Sequence, residues 1–152
     1  MKAILLSVFT GLFPMPLMAQ TALETPVSEL FIAADTVDLN ELVWKKRPVV
    51  IFADSTDDPA YIEQLKLLEA QSDELIVRDV IVVTDTDPAA RGDLRLKLRP
   101  RGFMLALIGK DGDVKIRKPF PWSVREITRS IDKMTIRKRE IREQKTAGPA
   151  AR

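Results

Sequence analysis

The chain has 152 residues, a formal net charge of +2, and neither cysteine nor histidine. Without thiols or imidazoles it lacks the commonest nucleophile and general-base side chains and the ligands that soft metals prefer. Thiol–disulfide exchange and thiol-dependent peroxide reduction both need a thiolate, so the composition excludes a thiol oxidoreductase or a thiol peroxidase. A hydrophobic content of 45% and a charged content of 30% fit a globular domain.

The small net charge conceals an uneven distribution of charged residues along the chain. Residues 24–109 contain 10 Lys or Arg against 16 Asp or Glu, whereas residues 110–152 contain 13 against 6. An acidic front and a basic back of this kind steer charged partners and do not determine the fold.

The first residues are typical of an export signal. Lys2 precedes the apolar run Ala3–Leu12, two prolines end the run, and Ala19 provides a small residue before a cleavage point, with Ala22 as the alternative. The run is shorter than the about 20 residues that a membrane-spanning helix needs. We therefore expect residues 1–19 to be a signal peptide, and we expect a periplasmic or secreted product without a transmembrane segment after cleavage.

The next part of the chain predicts a leader followed by a strand and a helix. Residues 20–38 show little periodicity and predict a flexible leader, with a strand or turn near residues 30–34, and Asp38 can cap a helical turn over Leu39–Trp44. The continuous apolar run Val49–Phe52 predicts a strand that is buried on both faces. Asp57 or Asp58 can then cap a helix that has Pro59 at its first position and ends near residue 71.

The middle of the chain predicts a second strand and a second short helix. The apolar residues of Leu75–Val83 indicate a strand, although the charged pair Arg78-Asp79 interrupts it. Thr84–Pro88 repeats the earlier pattern of an acidic turn and a proline, so we expect a short helix to begin at Pro88. Leucines alternate with basic residues over Arg91–Arg101.

The last part of the chain predicts a hairpin and two helices. Phe103–Ile108 indicates a third strand, and the Asp-Gly pair in the turn Gly109–Asp113 predicts a hairpin to a return strand, Val114–Arg117. Ser123 can cap a helix whose apolar face ends at residue 134. Residues 135–145 favour a strongly charged helix, and residues 146–152 are expected to be disordered.

This element order predicts an α/β fold with the thioredoxin-like arrangement, a βαβ unit followed by a β-hairpin and a helix. The central sheet is expected to be mixed, with helices on both faces. We expect the domain to span residues 39–134 and a basic helical extension with a disordered tail to span residues 135–152.

Two segments resemble thioredoxin at matching places. Val49–Tyr61 is similar to the strand that runs into the Cys-x-x-Cys helix, and Arg101–Val114 is similar to the strand and hairpin that carry the cis-proline. Asp57 and Asp58 stand where the resemblance places the thiols, and Met104 stands in for the proline. The resemblance therefore implies a thioredoxin-like scaffold without its redox site.

A narrower resemblance is to a family of thioredoxin-like domains of unknown function, found in exported bacterial proteins and in vertebrate sushi-repeat-containing matrix proteins. The similar segments, in chain order, are Trp44–Pro48, Arg78-Asp79, Gly109–Gly112, and Ile131–Met134 leading into Arg137–Ile141. One departure is Thr135, where the family is expected to prefer proline. The resemblance implies no established reaction and no cofactor.

Acidic residues follow both predicted parallel strands. If the strands lie side by side, the carboxylates gather at the carboxyl ends of the sheet, where open α/β sheets bind ligands: Asp54, Asp57, Asp58, Asp85 and Asp87. Clustered carboxylates suit Mg²⁺ or Ca²⁺, which makes a metal-binding or hydrolytic protein one hypothesis. The alternative is that these aspartates only cap helices and face water.

Basic residues dominate residues 91–101 and 125–145. The candidate surface for an anionic partner is formed by Arg137, Lys138, Arg139 and Arg142. Few aromatic residues lie among these cations, which argues against nucleic acid, so we expect anionic lipid, acidic polysaccharide or an acidic protein. The alternative is a solvated helix face on which Glu140 and Glu143 pair with the arginines.

The aromatic residues Trp44, Tyr61, Phe103 and Trp122 are interpreted as packing anchors. The leading functional hypothesis is a non-catalytic, exported binding or interaction module of unknown partner. The alternative hypothesis is a cysteine-independent metal-binding or hydrolytic protein that uses the aspartates.

Overall fold

The computed structural model describes residues 29–148 of the chain. The predicted signal peptide, both cleavage points, most of the leader and the last four residues of the tail lie outside the described residues. Within residues 29–148 the structure contains no helix that is long and apolar enough to cross a membrane.

The described residues form five strands and six α-helices. The strands are β1 (Phe31–Ala33), β2 (Arg47–Phe52), β3 (Val80–Asp85), β4 (Met104–Ile108) and β5 (Val114–Lys118). The helices are α1 (Leu39–Leu42), α2 (Pro59–Ala70), α3 (Ser72–Ile76), α4 (Asp93–Leu98), α5 (Val124–Asp132) and α6 (Thr135–Thr146). A 3-10 turn, Ala34–Thr36, follows β1.

The strands form one mixed sheet in the order β1-β3-β2-β4-β5. β1, β3 and β2 are mutually parallel, whereas β4 is antiparallel to β2 and β5 is antiparallel to β4. Val50 lies opposite Val83 on one side and Ala106 on the other, so β2 is the central strand. We refer to the end where β1, β2 and β3 finish as the carboxyl edge, and to the end where β2 and β3 begin as the amino edge.

Alternation along the strands divides the core into two layers. Val49, Ile51 and Val82 face α2, α3 and α5, and they pack with Leu68, Ile127 and other apolar residues of these helices. Val50 and Phe52 face the opposite layer, which α4 and the segment around α1 cover. All six residues of β2 are buried, as predicted for a strand covered on both faces. The expected fold class, an α/β sheet with helices on both faces, is confirmed.

The prediction of a strand over Leu75–Val83 is wrong in its first half. Ser72–Ile76 is helical, the turn at residues 77–79 includes Asp79 with φ of 55°, and only Val80 onward pairs with β2. The apolar residues before the charged pair therefore belong to α3. Leu75 points into the same core layer as the strands, which is why its hydrophobicity did not distinguish helix from strand.

The prediction of a helix beginning at Pro88 is also wrong. Asp87 accepts hydrogen bonds from the backbone N–H groups of Ala89 and Ala90, but this cap closes only a turn. The helix begins at Asp93, after Gly92, and ends at Leu98, where Arg99 follows as the C-cap with φ of 50°. An aspartate followed by a proline can begin a turn as well as a helix, so the local pattern did not determine where the helix starts.

Regular elements extend beyond the predicted domain, residues 39–134, at both ends. β1 belongs to the sheet, with Ile32 in register with Val83, so the segment assigned to a flexible leader supplies an edge strand. Helix α6 includes Thr146, which had been placed in the disordered tail. The predicted caps are observed: Asp58 accepts from two backbone N–H groups of α2, and Ser123 forms a reciprocal capping box with Glu126.

Candidate functional site

A buried ion pair closes the carboxyl edge of the sheet. Asp85 ends β3 and Arg95 lies in α4, and both residues are only 9% exposed. Arg95 Nε lies 2.9 Å from Asp85 Oδ1, within hydrogen-bond distance. Two charges removed from water in this way need each other, because either one alone would be buried without a partner.

The guanidinium of Arg95 also binds the backbone at the ends of β2 and β3. Its Nη2 donates to the carbonyl oxygens of Ala53 and, at 3.1 Å, of Asp85. Its Nη1 lies 3.7 Å from the exposed carboxylate of Asp54, and its charge sits 5.6 Å from the centre of the Phe52 ring. Arg95 is therefore the cation around which this edge is organised, and no sequence pattern marked it as such.

The other three aspartates of the predicted acidic site do not join this centre. Asp58 caps α2 through hydrogen bonds from the N–H groups of Ala60 and Tyr61, at 2.8 and 3.3 Å. Asp87 caps a turn, and Asp57 is exposed.

Asp54 and Asp85 therefore lie at the same edge, as expected, but a guanidinium stands between them, and Asp58 and Asp87 are used as caps. Among residues 29–148 no group of three or more acidic side chains is arranged to hold a metal ion.

The positions that resemble a redox site carry no reactive group. Asp57 and Asp58 lie just before α2, and Met104 begins β4 opposite Phe52, where it is half-buried against the second core layer. A carboxylate and a thioether cannot perform thiol–disulfide exchange.

A cleft of about 860 Å³ opens beside the Asp85–Arg95 pair. The 3-10 turn and the start of α1 form one wall, and the segment from the end of β3 to the start of α4 forms the other. The acidic residues that line it are Asp35, Asp38, Asp85, Asp87 and Asp93, and the basic ones are Arg91 and Lys97. The cleft was not predicted, because β1 and the 3-10 turn had been assigned to the leader.

A second charged network lies at the amino edge and is centred on Arg47. This residue begins β2, its side chain is 0% exposed, and it donates to the carbonyl oxygen of Arg78 and to Glu140 Oε1, at 2.8 and 2.9 Å. Lys110 Nζ reaches both Glu140, at 2.9 Å, and Asp79, at 2.7 Å. The network therefore fastens α6 to the first residue of the central strand.

Glu140 is the acidic centre of this network. Burial alone would raise its pKa, but hydrogen bonds from Lys110 and Arg47, with a further one from Arg137, outweigh burial and lower the pKa from 4.5 to about 2. The carboxylate is therefore ionised at neutral pH, and it contacts three cations: Arg47 at the start of β2, Lys110 in the turn between β4 and β5, and Arg137 in its own helix.

Two further arginines extend the network to α3 and α5. Arg78 makes a two-pronged contact with Asp132, 3.0 Å to each oxygen, and also binds Glu74. The hydrogen bond with Asp132 raises the pKa of Arg78 above its ordinary value. Arg137 donates to Glu140 and to the carbonyl oxygen of Val77, at 3.2 and 3.3 Å.

Only some residues of the predicted surface for an anionic partner are exposed to solvent. Arg137 is buried in the network, so its place among the candidate binding residues is wrong. Arg139 is exposed and lies 3.5 Å from Glu143, as expected for a pair at helical spacing. Lys138 and Arg142 are exposed, and Lys145, which the prediction omitted, is exposed with them.

Trp44 departs from its predicted role as a packing anchor. Its side chain is 63% exposed, and its backbone has φ of 65°, in the left-handed region that bulky residues rarely adopt. The Trp44 N–H donates to the carbonyl oxygen of Lys110 at 2.6 Å, which fixes this conformation. Tyr61 and Phe103 are buried in the core, as expected.

The sheet topology and the absence of cysteine define a thioredoxin-like domain without a thiol site. A family model, "Domain of unknown function (DUF4174)", matches residues 38–140, and the chain belongs to this family. The segments on which the sequence resemblance rested, around Arg47, Arg78, Lys110, Asp132 and Arg137, are the ones that meet at the amino edge.

One curated relative is a vertebrate protein, "Coiled-coil domain-containing protein 80" of Danio rerio. It is 30% identical over 140 residues, and the match covers 72% of this chain and 16% of the relative. The chain therefore spans about one sixth of that protein's length.

Solved structures share the fold at low sequence identity. The reduced 2-Cys peroxiredoxin of Plasmodium vivax superposes with a TM-score of 0.53 at 18% identity, covering 69% of this chain and 85% of that one. Chloroplastic thioredoxin z superposes with a TM-score of 0.50 at 20% identity, covering 66% and 88%. These likenesses concern the fold alone.

Proposed function

We propose that the chain is an exported, non-catalytic interaction module that binds an anionic partner through the outer side of α6. The observation that supports this most is the division of α6 into two sides. Arg137 and Glu140 bind inward to the buried network at the amino edge, whereas Lys138, Arg142 and Lys145 are exposed.

The three exposed cations form a stripe along the helix. Spacings of four and three residues at about 100° per residue place Lys138, Arg142 and Lys145 within about 60° of one another around the axis. The stripe is about 10 Å long, from the rise of about 1.5 Å per residue. A fixed row of cations of this kind suits a partner that presents several negative groups in a line, such as an acidic protein segment or an anionic component of the cell envelope.

Export rests on the first residues of the sequence. Lys2, the apolar run and the small residue at Ala19 support removal of residues 1–19 and release into the periplasm or the medium. An exported module without cysteine needs neither a reducing nor an oxidising compartment for its activity or its folding.

A charge-reversal experiment with a matched control tests the stripe. The stripe variant is Lys138→Glu with Arg142→Glu and Lys145→Glu. The control reverses three other exposed cations, Lys66, Arg101 and Arg129, so that both variants change the net charge equally. Retention on an immobilised anionic matrix is measured against salt concentration, with folding checked by circular dichroism.

We expect the stripe variant to elute at clearly lower salt than the control, because the stripe presents its charges together while the control cations are dispersed. Equal elution of the two variants would show that only net charge matters and would contradict the proposal. Export is tested separately, by the N-terminal sequence and the compartment of the mature chain in a cell that produces it.

A further inference from the structure

The sheet ends on one side in a strand whose outer border is open. Within residues 29–148, β5 pairs with β4 and with no other strand, and it is the last strand in the sheet order. Its five residues make it longer than β1, the three-residue strand on the opposite side of the sheet. We refer to the side of β5 that faces away from β4 as the β5 border. A border of this kind presents unpaired backbone groups that can accept a further strand.

The alternation of backbone hydrogen bonds identifies one residue whose backbone groups point outward. The N–H groups of Arg47 and Ala53 both donate towards β3, so Val50, at an odd spacing from each, bonds to β4. Val50 lies opposite Ala106, which therefore directs its backbone groups towards β2. Arg117 lies opposite Ala106 on the other side, so its own N–H and C=O point away from the sheet.

The face of β5 on the side of α4 carries uncompensated positive charge. Lys115 is paired with two carboxylates of the preceding turn, at 2.6 and 3.4 Å. The guanidinium of Arg117 instead donates to the carbonyl oxygen of Leu98, the last residue of α4, at 2.7 Å. The exposed residue Arg99 follows Leu98 directly. Within residues 29–148 neither of these two arginines forms an ion pair with a carboxylate.

The opposite face of β5, on the side of α5, is mainly apolar. Ile116 and Trp122 are half-buried and pack against the core layer that α5 covers. Phe120, two residues beyond the end of the strand, is 53% exposed. Lys118 Nζ lies 5.0 Å from the centre of the Trp122 ring and 5.8 Å from that of Phe120. A strand added to β5 would therefore meet cations on one face and apolar side chains on the other.

Charge determines which kind of strand can be added. Pairing β5 with the same strand of a second copy would bring Arg117 and Lys118 of both copies close together, and like charges on paired strands are destabilising. A strand with carboxylates on one face and apolar side chains on the other complements both faces of β5.

We infer that the β5 border binds an extended acidic segment of a partner protein as a sixth strand of the sheet. The outward N–H and C=O of Arg117 bond to the backbone of this segment. Its carboxylates face Arg117 and Arg99, and its apolar side chains face Ile116 and Phe120. This surface shares no residue with the stripe on α6, so the two proposals are tested separately.

Isothermal titration calorimetry of the mature chain with a short peptide tests the inference. The probe is a hexapeptide of alternating glutamate and valine with both ends blocked, and the matched control replaces each glutamate by lysine. We expect the acidic peptide to bind with a dissociation constant below about 1 mM and the basic peptide to show no binding at that concentration. Affinity for the acidic peptide should fall as salt is raised.

Two substitutions at one position separate the backbone contribution from the charge. Arg117→Thr removes the charge and keeps the N–H, whereas Arg117→Pro removes both, and each loses the hydrogen bond to Leu98. Proline is tolerated in a border strand where the N–H faces solvent, and circular dichroism checks that both variants fold. We expect Arg117→Pro to bind the acidic peptide roughly tenfold more weakly than Arg117→Thr at low salt.

Amide hydrogen exchange locates the bound peptide without any substitution. The Arg117 amide should exchange rapidly in the free chain and at least roughly tenfold more slowly with saturating acidic peptide, because the added strand then accepts its hydrogen bond. The variant with Lys138, Arg142 and Lys145 all changed to glutamate should bind this peptide at the β5 border as the unsubstituted chain does.

The inference would be overturned if the two peptides bound equally or if neither bound at about 1 mM. Equal affinity of Arg117→Pro and Arg117→Thr for the acidic peptide would also contradict it. Binding that leaves the exchange of the Arg117 amide unchanged, and that disappears when the stripe is reversed, would assign the peptide to α6 and exclude the β5 border.

Discussion

The residue with the largest local effect at the carboxyl edge is Arg95. It binds the buried carboxylate of Asp85 and two backbone carbonyl oxygens, so its removal leaves the carboxylate without its cation and the carbonyl oxygen of Ala53 without a donor. We predict that Arg95→Leu lowers the free energy of unfolding by about 3–5 kcal/mol, the range for breaking a buried ion pair by removing one partner. Urea unfolding followed by circular dichroism measures the loss.

A double-mutant cycle measures the interaction free energy between Asp85 and Arg95. Asp85→Leu combined with Arg95→Leu should be less destabilising than the sum of the two single substitutions, because the double variant leaves no unpaired buried charge. Part of the loss should persist, since the carbonyl oxygen of Ala53 still lacks its donor. Additive single effects would mean that the two side chains act independently.

Sequence patterns predicted the acidic residues of this edge and missed its arginine. Asp54, Asp57 and Asp85 follow apolar runs, and the ends of strands can be located from such runs. Arg95 and Arg47 resembled ordinary surface cations, because burial of an arginine depends on partners elsewhere in the chain. Arg47 binds Glu140 across 93 positions, a separation at which local periodicity carries no information.

At the scale of elements, substitutions at the N-cap of α2 test whether the aspartates near its start stabilise the helix. Asp58 accepts from two backbone N–H groups, whereas Asp57 is exposed. We predict that Asp58→Ala lowers the free energy of unfolding by about 1 kcal/mol and that Asp58→Asn has little effect, because asparagine caps equally well.

Asp57→Ala is the matched control for this cap and should change stability by less than about 0.5 kcal/mol. Thermal unfolding distinguishes the three variants. An asparagine variant as unstable as the alanine variant would show that the charge of Asp58, and not its cap, is what matters.

The errors in element assignment have one physical origin. Leu75 is buried in the same core layer as Val80 and Val82, although it lies in a helix and they lie in a strand. The short apolar run was compatible with either structure, and the turn that divides it depends on hydrogen bonds from Arg47 to Asp79 and Arg78. Longer elements with a clear cap, α2 and α5, were predicted with nearly correct bounds.

Two truncated chains distinguish the role of the inward side of α6 from that of its exposed side. A chain ending at Met134 loses Arg137 and Glu140, and leaves the buried Arg47 without its strongest partner. We predict a loss of about 3 kcal/mol or more in the free energy of unfolding for this chain.

A chain ending at Ile141 keeps both network residues and removes Arg142 and Lys145, so it should retain most of its stability and lose retention on an anionic matrix. Thermal unfolding and chromatography of the two truncated chains measure these outcomes. Equal stability of the two chains would contradict the role assigned to Glu140.

At the scale of the whole molecule, each edge of the sheet carries its own cluster of paired charges. The carboxyl edge carries the exposed carboxylates of the cleft, and the amino edge carries the exposed side chain of Trp44 and the buried network that docks α6. The split between an acidic front and a basic back in the sequence does not correspond to these two edges, because Arg47 and Arg78 lie in the acidic front. It could not show which cations are buried and which remain free to bind.

The ionisable side chains determine how stability depends on pH. Without histidine or cysteine, the chain has no side chain whose ordinary pKa lies between about 5 and 8, so stability should be nearly constant there. Below that window, the lowered pKa of Glu140 matters most. Burial raises the pKa of Asp111, but hydrogen bonds from Lys115 and from the backbone N–H of Asp113, together with the charge of Lys115, lower it overall. A hydrogen bond from Ser123 lowers the pKa of Glu126.

The direction of the effect follows from the folded-state pKa of Glu140. Because this pKa falls from 4.5 to about 2 on folding, the unfolded chain binds the proton more readily. The stability that the carboxylate contributes is therefore present above about pH 4.5 and is lost as the pH falls towards 2. A shift of this size corresponds to about 3 kcal/mol if fully realised, and screening at the partly open side of the network reduces the expected contribution to about 1–2 kcal/mol.

Glu140→Gln should thus be less stable than the unsubstituted chain by about 1–2 kcal/mol at pH 7, and the difference should shrink as the pH falls from 4.5 and vanish near pH 2. Glu143→Gln is the matched control, because Glu143 lies on the same helix and pairs with Arg139 in the open solvent. Its effect should stay within about 0.5 kcal/mol at every pH. Urea unfolding at a series of pH values gives the stability profile of each variant. If Glu140→Gln remained less stable than the unsubstituted chain at pH 2, the carboxylate would stabilise the network by its shape and not by its charge.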